Sequence, residues 1–210
     1  TMQALVDLKR KNKKRIGRIS ACTAISRTNY KQIPYIIERI QRLGVLQSFT
    51  FVRTNEVWNL KAPEELSNFN PGGDFDNFMT VTEMEQALDM LREHLWDKHP
   101  KNLYYATNRV TLETIVHTIK HKKPRAACQS GKAELTILAN GDVARCENLR
   151  VAANLGDYNW DLEKLMKSEE YQANFNKTNG CFCSHDCAIN VSIMYSKPLL
   201  EDLFTRPKII

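Results

Sequence analysis

The spacing of hydrophobic residues in the N-terminal part of the chain predicts a helix followed by a strand, a helix and a strand. Residues 2–11 have a helical pattern, and residues 18–25 show the alternation of a β-strand. Isoleucines with helical spacing follow and end at Gly44, and residues 48–52 predict a second strand. A strand, a helix and a strand within about 35 residues form a βαβ unit, so the strands are expected to pair in parallel.

Helical patterns also cover the middle of the chain, after a polar loop predicted over residues 59–80. Thr82 and Glu85 have the spacing of a capping box, which predicts that a helix begins there. Its expected apolar face consists of Met84, Leu88, Leu91 and Leu95. A second helix is predicted to end before Pro124, and the tail over residues 189–203 is expected to form a helix and a closing strand or loop.

A β-hairpin is predicted around Asn140 and Gly141, which two alternating stretches flank. An Asn-Gly pair favours a two-residue turn, because both turn residues then take positive φ. That turn would place Cys146 opposite Leu135 and on the same face as Ile137. We therefore expect a half-buried thiol at this position.

Composition and charge argue against several classes of protein. A hydrophobic content of 42% over 210 residues is typical of a globular protein. The net charge of +6 comes from residues 1–18, because the rest of the chain has 23 basic and 23 acidic residues, and no nucleic-acid partner is expected. No apolar stretch approaches the ~20 residues that span a bilayer, and no signal segment is visible, so we predict a cytoplasmic protein without a membrane segment.

Five of the six cysteines lie between residues 128 and 187, and their spacing predicts a metal centre. They are Cys128, Cys146, Cys181, Cys183 and Cys187. A soft metal centre needs several thiolates that converge from separate turns. An iron–sulfur cluster is the favoured interpretation, and the alternatives are zinc with His185 as a further donor, or disulfides in an oxidising compartment. Cys22 stands alone in the first predicted strand and is expected to be a buried, inert thiol.

The order Cys-x12-Gly-x4-Cys, then Asn154-Leu155-Gly156-Asp157, then Cys-x-Cys-x3-Cys resembles the SPASM domain, or its shorter twitch form, of radical S-adenosylmethionine enzymes. The resemblance covers roughly residues 126–200 by motif. The full SPASM pattern has seven cysteines and two auxiliary clusters, so the five cysteines here imply one auxiliary 4Fe-4S cluster. The implied ligands are Cys128, Cys146 and Cys187, with Cys181 or Cys183 as the fourth.

Two predicted strand ends in the N-terminal part resemble the fifth and sixth strands of the radical S-adenosylmethionine partial barrel. In α/β barrels, ligands bind at the carboxyl ends of the strands. The resemblance therefore implies that Ser26, Arg27, Asn29 and Arg53 face S-adenosylmethionine or substrate. The alternatives are helix capping by Ser26 and Asn29, and a surface ion pair for Arg53.

The motif that holds the catalytic cluster of radical S-adenosylmethionine enzymes, Cys-x3-Cys-x2-Cys, does not occur in this sequence. The resemblance implies that the first four barrel strands lie outside these residues, and that this chain alone does not cleave S-adenosylmethionine. The implied fold class is α/β. It comprises the C-terminal part of a partial (β/α) barrel over residues 1–60, a linker with helices over 61–125, and a small α+β SPASM or twitch domain over 126–210.

The resemblance also implies an oxidoreductase or a maturase whose auxiliary cluster transfers electrons or binds substrate. The substrate would be a peptide, a sugar or a small metabolite, and a ferredoxin or flavodoxin would donate electrons. The alternative is a non-catalytic module in which zinc or a cluster stabilises the fold, and the missing motif favours it for this chain alone.

Overall fold

The computed structural model describes residues 2–12, 19–52, 56–66 and 77–205. Helices and strands both occur in these ranges, so the structure is mixed α/β. The chain divides into two compact units: Thr1–Val52 with Phe75–Leu112, and Arg53–Asp74 with Glu113–Ile210. No helix in the described ranges has the length and apolar character needed to cross a bilayer.

The first unit contains the predicted βαβ arrangement. Its first elements are helix α1, Met2–Lys11, strand β1, Ser20–Ile25, helix α2, Ile33–Leu43, and strand β2, Leu46–Phe51. Strands β1 and β2 pair in parallel, with Ser20 opposite Leu46 and Ile25 opposite Phe51. The parallel pairing predicted from the sequence is therefore confirmed.

Two residues determine where α2 begins and ends. Pro34 lies in the first turn, where its missing N–H leaves no helical hydrogen bond unmade, and Gly44 ends the helix in the left-handed conformation with a φ of +68°. Ile33 and Ile37 are buried, as expected for one face of an amphipathic helix. The local rules of helix termination are sufficient to explain this element.

Strand β1 contradicts the prediction for Cys22. Ala21 and Ile25 are buried, and Cys22 lies between them at a position that points to the opposite side of the strand. Its thiol is exposed. The expectation of a buried thiol is therefore wrong, because the alternation of the strand decides exposure here and the general preference of cysteine for the interior does not.

Helix α3, Val81–Leu91, begins with a capping box that lies two residues before the predicted one. The Glu83 N–H donates to the Thr80 hydroxyl at 3.2 Å, and the Thr80 N–H donates to the Glu83 carboxylate at 2.7 Å. Both threonines have a glutamate three residues later, but Thr80 has the extended backbone of a cap whereas Thr82 already lies in the helix. The predicted apolar face is buried: Met84, Leu88, Leu91 and Leu95.

Helix α4, Leu103–His121, contributes residues to both units, and the second unit contains the remaining elements. Strand β3, Val57–Trp58, pairs antiparallel with strand β7, Phe182–Cys183. A separate antiparallel sheet has the strand order β4, Thr136–Ile137, β5, Asp142–Ala144, and β6, Val151–Asn154. The later helices of the described ranges are α5, Leu162–Lys167, α6, Glu169–Thr178, α7, Asp186–Ile193, and α8, Lys197–Phe204. The tail is thus helical in α7 and α8, and the closing strand that was one expectation for it is wrong.

The predicted hairpin forms between β4 and β5, but its turn differs from the prediction. The Leu138 N–H donates to the Asp142 carbonyl at 2.8 Å, and the Gly141 N–H donates to the Leu138 carbonyl at 2.9 Å. The loop between them is therefore three residues long, and Gly141 has the positive φ, +90°, that this type of loop requires. Asn140 uses its side chain to accept the Asp142 N–H at 3.2 Å, so it helps to form the loop without a positive φ.

The extra loop residue shifts the pairing by one position, which changes the setting of Cys146. Thr136 lies opposite Ala144 and Ile137 lies opposite Val143, so the predicted pairing of Cys146 with Leu135 is wrong. Cys146 follows the end of β5 and is 8% exposed, whereas Ile137 is 48% exposed. The thiol is therefore more deeply buried than the hairpin prediction implied.

Candidate metal centre

Four of the predicted metal ligands lie in one neighbourhood of the second unit. Cys128 follows α4, Cys146 follows β5, and Cys181 and Cys183 lie just before and within β7. Burial has the largest effect on the pKa of Cys146, and negative charge on the sulfur of Cys181 or Cys128 raises it further. The pKa of Cys183 is raised in the same way, by burial and then by the other three sulfurs. We call these four residues, Cys128, Cys146, Cys181 and Cys183, the cysteine cluster.

Pairing of β7 with β3 brings the last two cysteines into the cluster. Cys183 lies opposite Val57 in this short ladder. Gly180, with a φ of +86°, allows the chain to turn just before Cys181. The Asn59 side chain donates to the Gly180 carbonyl at 3.2 Å and so holds the turn. Because β3 and β7 are far apart in sequence and only two residues long, no sequence pattern revealed this pairing.

Apolar neighbours keep water away from part of the cluster. Cys146 and Cys181 are buried together with Leu149, and Val57 and Leu60 pack against them. Burial raises the pKa of Cys146 to about 12, and it also raises the pKa of Cys181. Without a metal these thiols are therefore protonated at neutral pH, and metal binding would release their protons.

Burial also raises the pKa of Cys183, to about 12. Cys183 lines a small pocket together with Cys128. Thr114 and Thr118 of α4 and Ile189 of α7 lie around the same pocket. The cluster therefore has a buried side at Cys146 and Cys181, and a side at Cys128 and Cys183 that borders a small pocket.

Cys187, the remaining predicted ligand, lies in the first turn of α7 and is exposed. A ring nitrogen of His185, a carboxylate oxygen of Asp186 and the Cys187 Sγ lie within 4.8 Å of one another. The backbone N–H of His185 donates to the Cys183 Sγ at 3.3 Å, so this group lies beside the cysteine cluster. His185 is 3% exposed, and its Nε2 lies 2.6 Å from the carboxylate of Glu147.

A buried arginine that no sequence pattern predicted lies next to the cluster. Arg145 is 1% exposed. Its guanidinium donates to the Ser130 carbonyl and, at 2.8 Å, to the Thr178 hydroxyl. The guanidinium carbon, Cζ, lies over the Phe175 ring, 4.5 Å from the ring centre. Burial has the larger effect on the pKa values of Cys181 and Cys146, and the charge of Arg145 opposes it by lowering both. The position of Arg145 directly before Cys146 is a sequence signal that could have drawn attention to it.

The segment that follows Cys128 folds closely over this arginine. A Cβ at Gly131 would lie 2.3 Å from the Arg145 Cγ, and Gly131 has a φ of +84°. The Tyr171 hydroxyl donates to the Gly131 carbonyl at 2.9 Å. Glycine is therefore required at position 131 both for the backbone conformation and for the close approach of Arg145.

Three of the four predicted S-adenosylmethionine-facing residues, Ser26, Arg27 and Asn29, lie in the turn after β1, and their side chains bond within the first unit. The Asn29 carboxamide accepts the Ser26 N–H at 2.9 Å and donates to the Ala24 carbonyl at 2.9 Å. The Ser26 and Thr28 hydroxyls are 2.8 Å apart. Arg27 is half-exposed, with its Nε 3.4 Å from the Glu83 carboxylate. Arg53 lies outside the described residues, so the structure does not bear on its predicted role.

Comparisons of the chain with protein-family models, with curated proteins and with solved structures gave no match.

Proposed function

We propose that this chain binds one auxiliary 4Fe-4S cluster and forms the C-terminal part of a radical S-adenosylmethionine oxidoreductase or maturase of the SPASM or twitch type. The observation that carries the proposal is the convergence of three separate segments, because Cys146 and Cys181 lie in one buried group and Cys128 and Cys183 line one pocket. Thiolates that converge from separate turns are the ligand arrangement of iron–sulfur centres.

The chemistry of the surrounding residues fits such a group. Four soft sulfur donors match the ligand preference of iron–sulfur centres, and the apolar contacts of Leu149 and Leu60 limit the access of water. The positive charge of Arg145 favours thiolates over thiols. When bound, the cluster would supply electron transfer, or an open iron for substrate, and the chain would hold it, shield it and offset its charge.

We take the cysteine cluster as the ligand set, because Cys146 and Cys181 are buried together and Cys128 and Cys183 line one pocket. The motif resemblance instead takes Cys187 in place of either Cys181 or Cys183. Cys187 belongs to the same neighbourhood through His185, whose backbone N–H donates to Cys183. The two ligand sets share Cys128 and Cys146, so single variants of the other three cysteines distinguish them.

The wider functional proposals follow from the family resemblance. In a complete protein, S-adenosylmethionine would bind near Ser26, Arg27, Asn29 and Arg53, and a peptide, a sugar or a small metabolite would be the substrate. A ferredoxin or flavodoxin would donate electrons, and no nucleic-acid partner is proposed. We place the protein in the cytoplasm, where reduced thiols are available for a cluster.

The test is metal analysis of protein purified and reconstituted without oxygen. About four iron and four sulfide per chain are expected, with thiolate-to-iron absorption. Serine variants of each of the five C-terminal cysteines are then compared, with Cys22→Ser as the matched control because Cys22 is exposed and lies in the first unit. Full iron in Cys187→Ser with loss in Cys181→Ser and Cys183→Ser supports the cysteine cluster, and the absence of sulfide from the unaltered protein would overturn the proposal.

A second candidate function is that of a non-catalytic module stabilised by zinc. The observation that favours it is the group of His185, Asp186 and Cys187, because zinc accepts nitrogen, oxygen and sulfur ligands in one site. Among the described residues, the His185 Nδ1 is buried without a hydrogen-bond partner. One zinc and no sulfide per chain, with zinc lost in His185→Gln, would establish this function in place of the first.

A further inference from the structure

The interior of the second unit contains a full positive charge whose contacts with the described residues are neutral. Arg145 is almost completely buried, and its guanidinium contacts a backbone carbonyl, a hydroxyl and an aromatic ring. Hydrogen bonds and stacking reduce the cost of burying a guanidinium, but they do not neutralise its charge. A buried charge of this kind is normally offset by an ion of opposite sign.

Arg145 also contacts the segments that carry the cysteine cluster. Arg145 directly precedes Cys146, and it donates to the carbonyl of Ser130, two residues after Cys128. It also donates to the hydroxyl of Thr178, whose carbonyl accepts the Cys181 N–H at 3.2 Å. Lys132, the other cation beside the Phe175 ring, is exposed and lies 5.4 Å from the ring centre. Of the two cations beside this ring, Arg145 is the buried one, and it directly precedes Cys146.

We propose that Arg145 is the internal counter-cation of the metal centre, and that it offsets the net negative charge that four thiolates bring to a bound cluster and raises the reduction potential of that cluster. The inference rests on the proposed function, because it needs a redox-active cluster at the cysteine cluster. It adds a positioning residue that the cysteine motif does not contain. Gly131 is needed for the same arrangement, because a side chain at this position would occupy the space of the Arg145 side chain.

We expect the positive charge of residue 145 to destabilise the metal-free protein and to stabilise the protein with a bound cluster. In the metal-free protein the contacts of Arg145 with the described residues are neutral and its charge is uncompensated, so it destabilises the fold. With a cluster bound, the thiolates compensate it. Reduction adds one more negative charge to the site, so a nearby cation stabilises the reduced form and raises the potential.

The experiment compares Arg145→Lys with Arg145→Gln in the full chain. Both variants lose the forked hydrogen bonds of the guanidinium, and only the lysine variant keeps the charge, so the comparison isolates the charge. The potential of the reconstituted cluster is measured by anaerobic redox titration. We expect the reduction potential of the glutamine variant to be about 59 mV lower than that of the lysine variant. For one electron, this corresponds to a change of about tenfold in the equilibrium constant for reduction.

Arg150→Gln is the matched control, because Arg150 is an exposed arginine of the same loop that donates to the Leu66 carbonyl at 3.3 Å. Its potential should equal that of the unaltered protein. Equal potentials in the lysine and glutamine variants would overturn the inference while leaving the cluster, and thus the proposed function, intact. Failure of the proposed function is recognised separately, by the absence of sulfide from the unaltered protein.

A second measurement tests the role of Arg145 if one variant does not bind a cluster. Urea unfolding of the metal-free variants should give the glutamine variant a midpoint at least as high as that of the lysine variant, whereas iron retention should rank them in the opposite order. The reversal between the two states is the signature of a counter-cation. The same ranking in both states would show that Arg145 acts only through packing and hydrogen bonds, and would overturn the inference.

Discussion

The turn after β1 and the metal centre both contain inward polar or ionisable side chains, but these groups have different partners. In the turn, Asn29 both accepts from Ser26 and donates to Ala24, so its hydrogen-bonding groups are used within the fold. In the metal centre, burial and then negative charge on neighbouring sulfurs raise the pKa values of Cys146 and Cys183, and the contacts of Arg145 with the described residues leave its charge uncompensated. Predicted site residues should therefore be judged by whether the fold already satisfies their hydrogen bonds and charges. Polar groups whose hydrogen bonds are made within the fold maintain its structure. Groups whose charges repel one another or remain uncompensated are the better candidates for binding a ligand.

The largest effect is expected from Cys146→Ser, which removes a ligand on the buried side of the metal centre. Iron should fall from about four per chain to less than about one, and the second unit should lose most of its hydrogen-exchange protection, because metal binding is coupled to folding. Iron analysis and hydrogen exchange by mass spectrometry measure both effects. Cys22→Ser should change neither, because its thiol is exposed on β1. Retention of full iron in Cys146→Ser would remove Cys146 from the ligand set.

A smaller but still large effect is expected from Gly131→Ala. The new Cβ would lie 2.3 Å from the Arg145 Cγ, at a φ of +84° that alanine rarely adopts. The conformational cost is about 1–2 kcal/mol, and overpacking adds about 1–3 kcal/mol of lost unfolding free energy. Urea denaturation measures the sum.

Gly44→Ala is the matched control for this substitution. Gly44 also has a positive φ, +68°, but a Cβ added there would meet no other atom within 4 Å. The substitution should cost about 1–2 kcal/mol, which is the conformational contribution alone. Equal losses at positions 44 and 131 would mean that the contact with Arg145 relaxes without cost, and that the segment over the arginine is not tightly fitted.

Local rules predicted the helices and the parallel pair, and they failed where a distant partner decides the outcome. Gly44 and the isoleucines of α2 specify their helix from adjacent positions alone. The pairing of β3 with β7 joins residues 57–58 to residues 182–183, and two-residue strands have no detectable alternation. The hairpin register was missed because an Asn-Gly pair suits both a two-residue and a three-residue loop.

The candidate site was predictable as a set of cysteines but not as an electrostatic environment. Cysteine spacing predicted five ligands, of which four lie in one neighbourhood of the structure while Cys187 is exposed beside them. If the strand continued to Cys146, its alternation would point the preceding residue, Arg145, outward. Strand β5 instead ends at Ala144, so this alternation does not apply to Arg145. The arginine side chain then enters the interior, where Ser130 and Thr178 bind it. Such partners come from separate segments and are visible only in the folded chain.

The smallest effect is expected from Asn29→Ala in the turn after β1. The substitution removes an acceptor from the Ser26 N–H and a donor from the Ala24 carbonyl, so the unfolding free energy should fall by about 1–2 kcal/mol. Asn29→Asp keeps the acceptor and loses the donor, and it should lie between the alanine variant and the unaltered protein. Hydrogen exchange should increase in β1 and α2 while the iron content stays constant, because Asn29 acts within the first unit. A loss of iron in Asn29→Ala, with the second unit still protected, would show that the turn and the metal centre depend on each other, and the contrast between them would have to be abandoned.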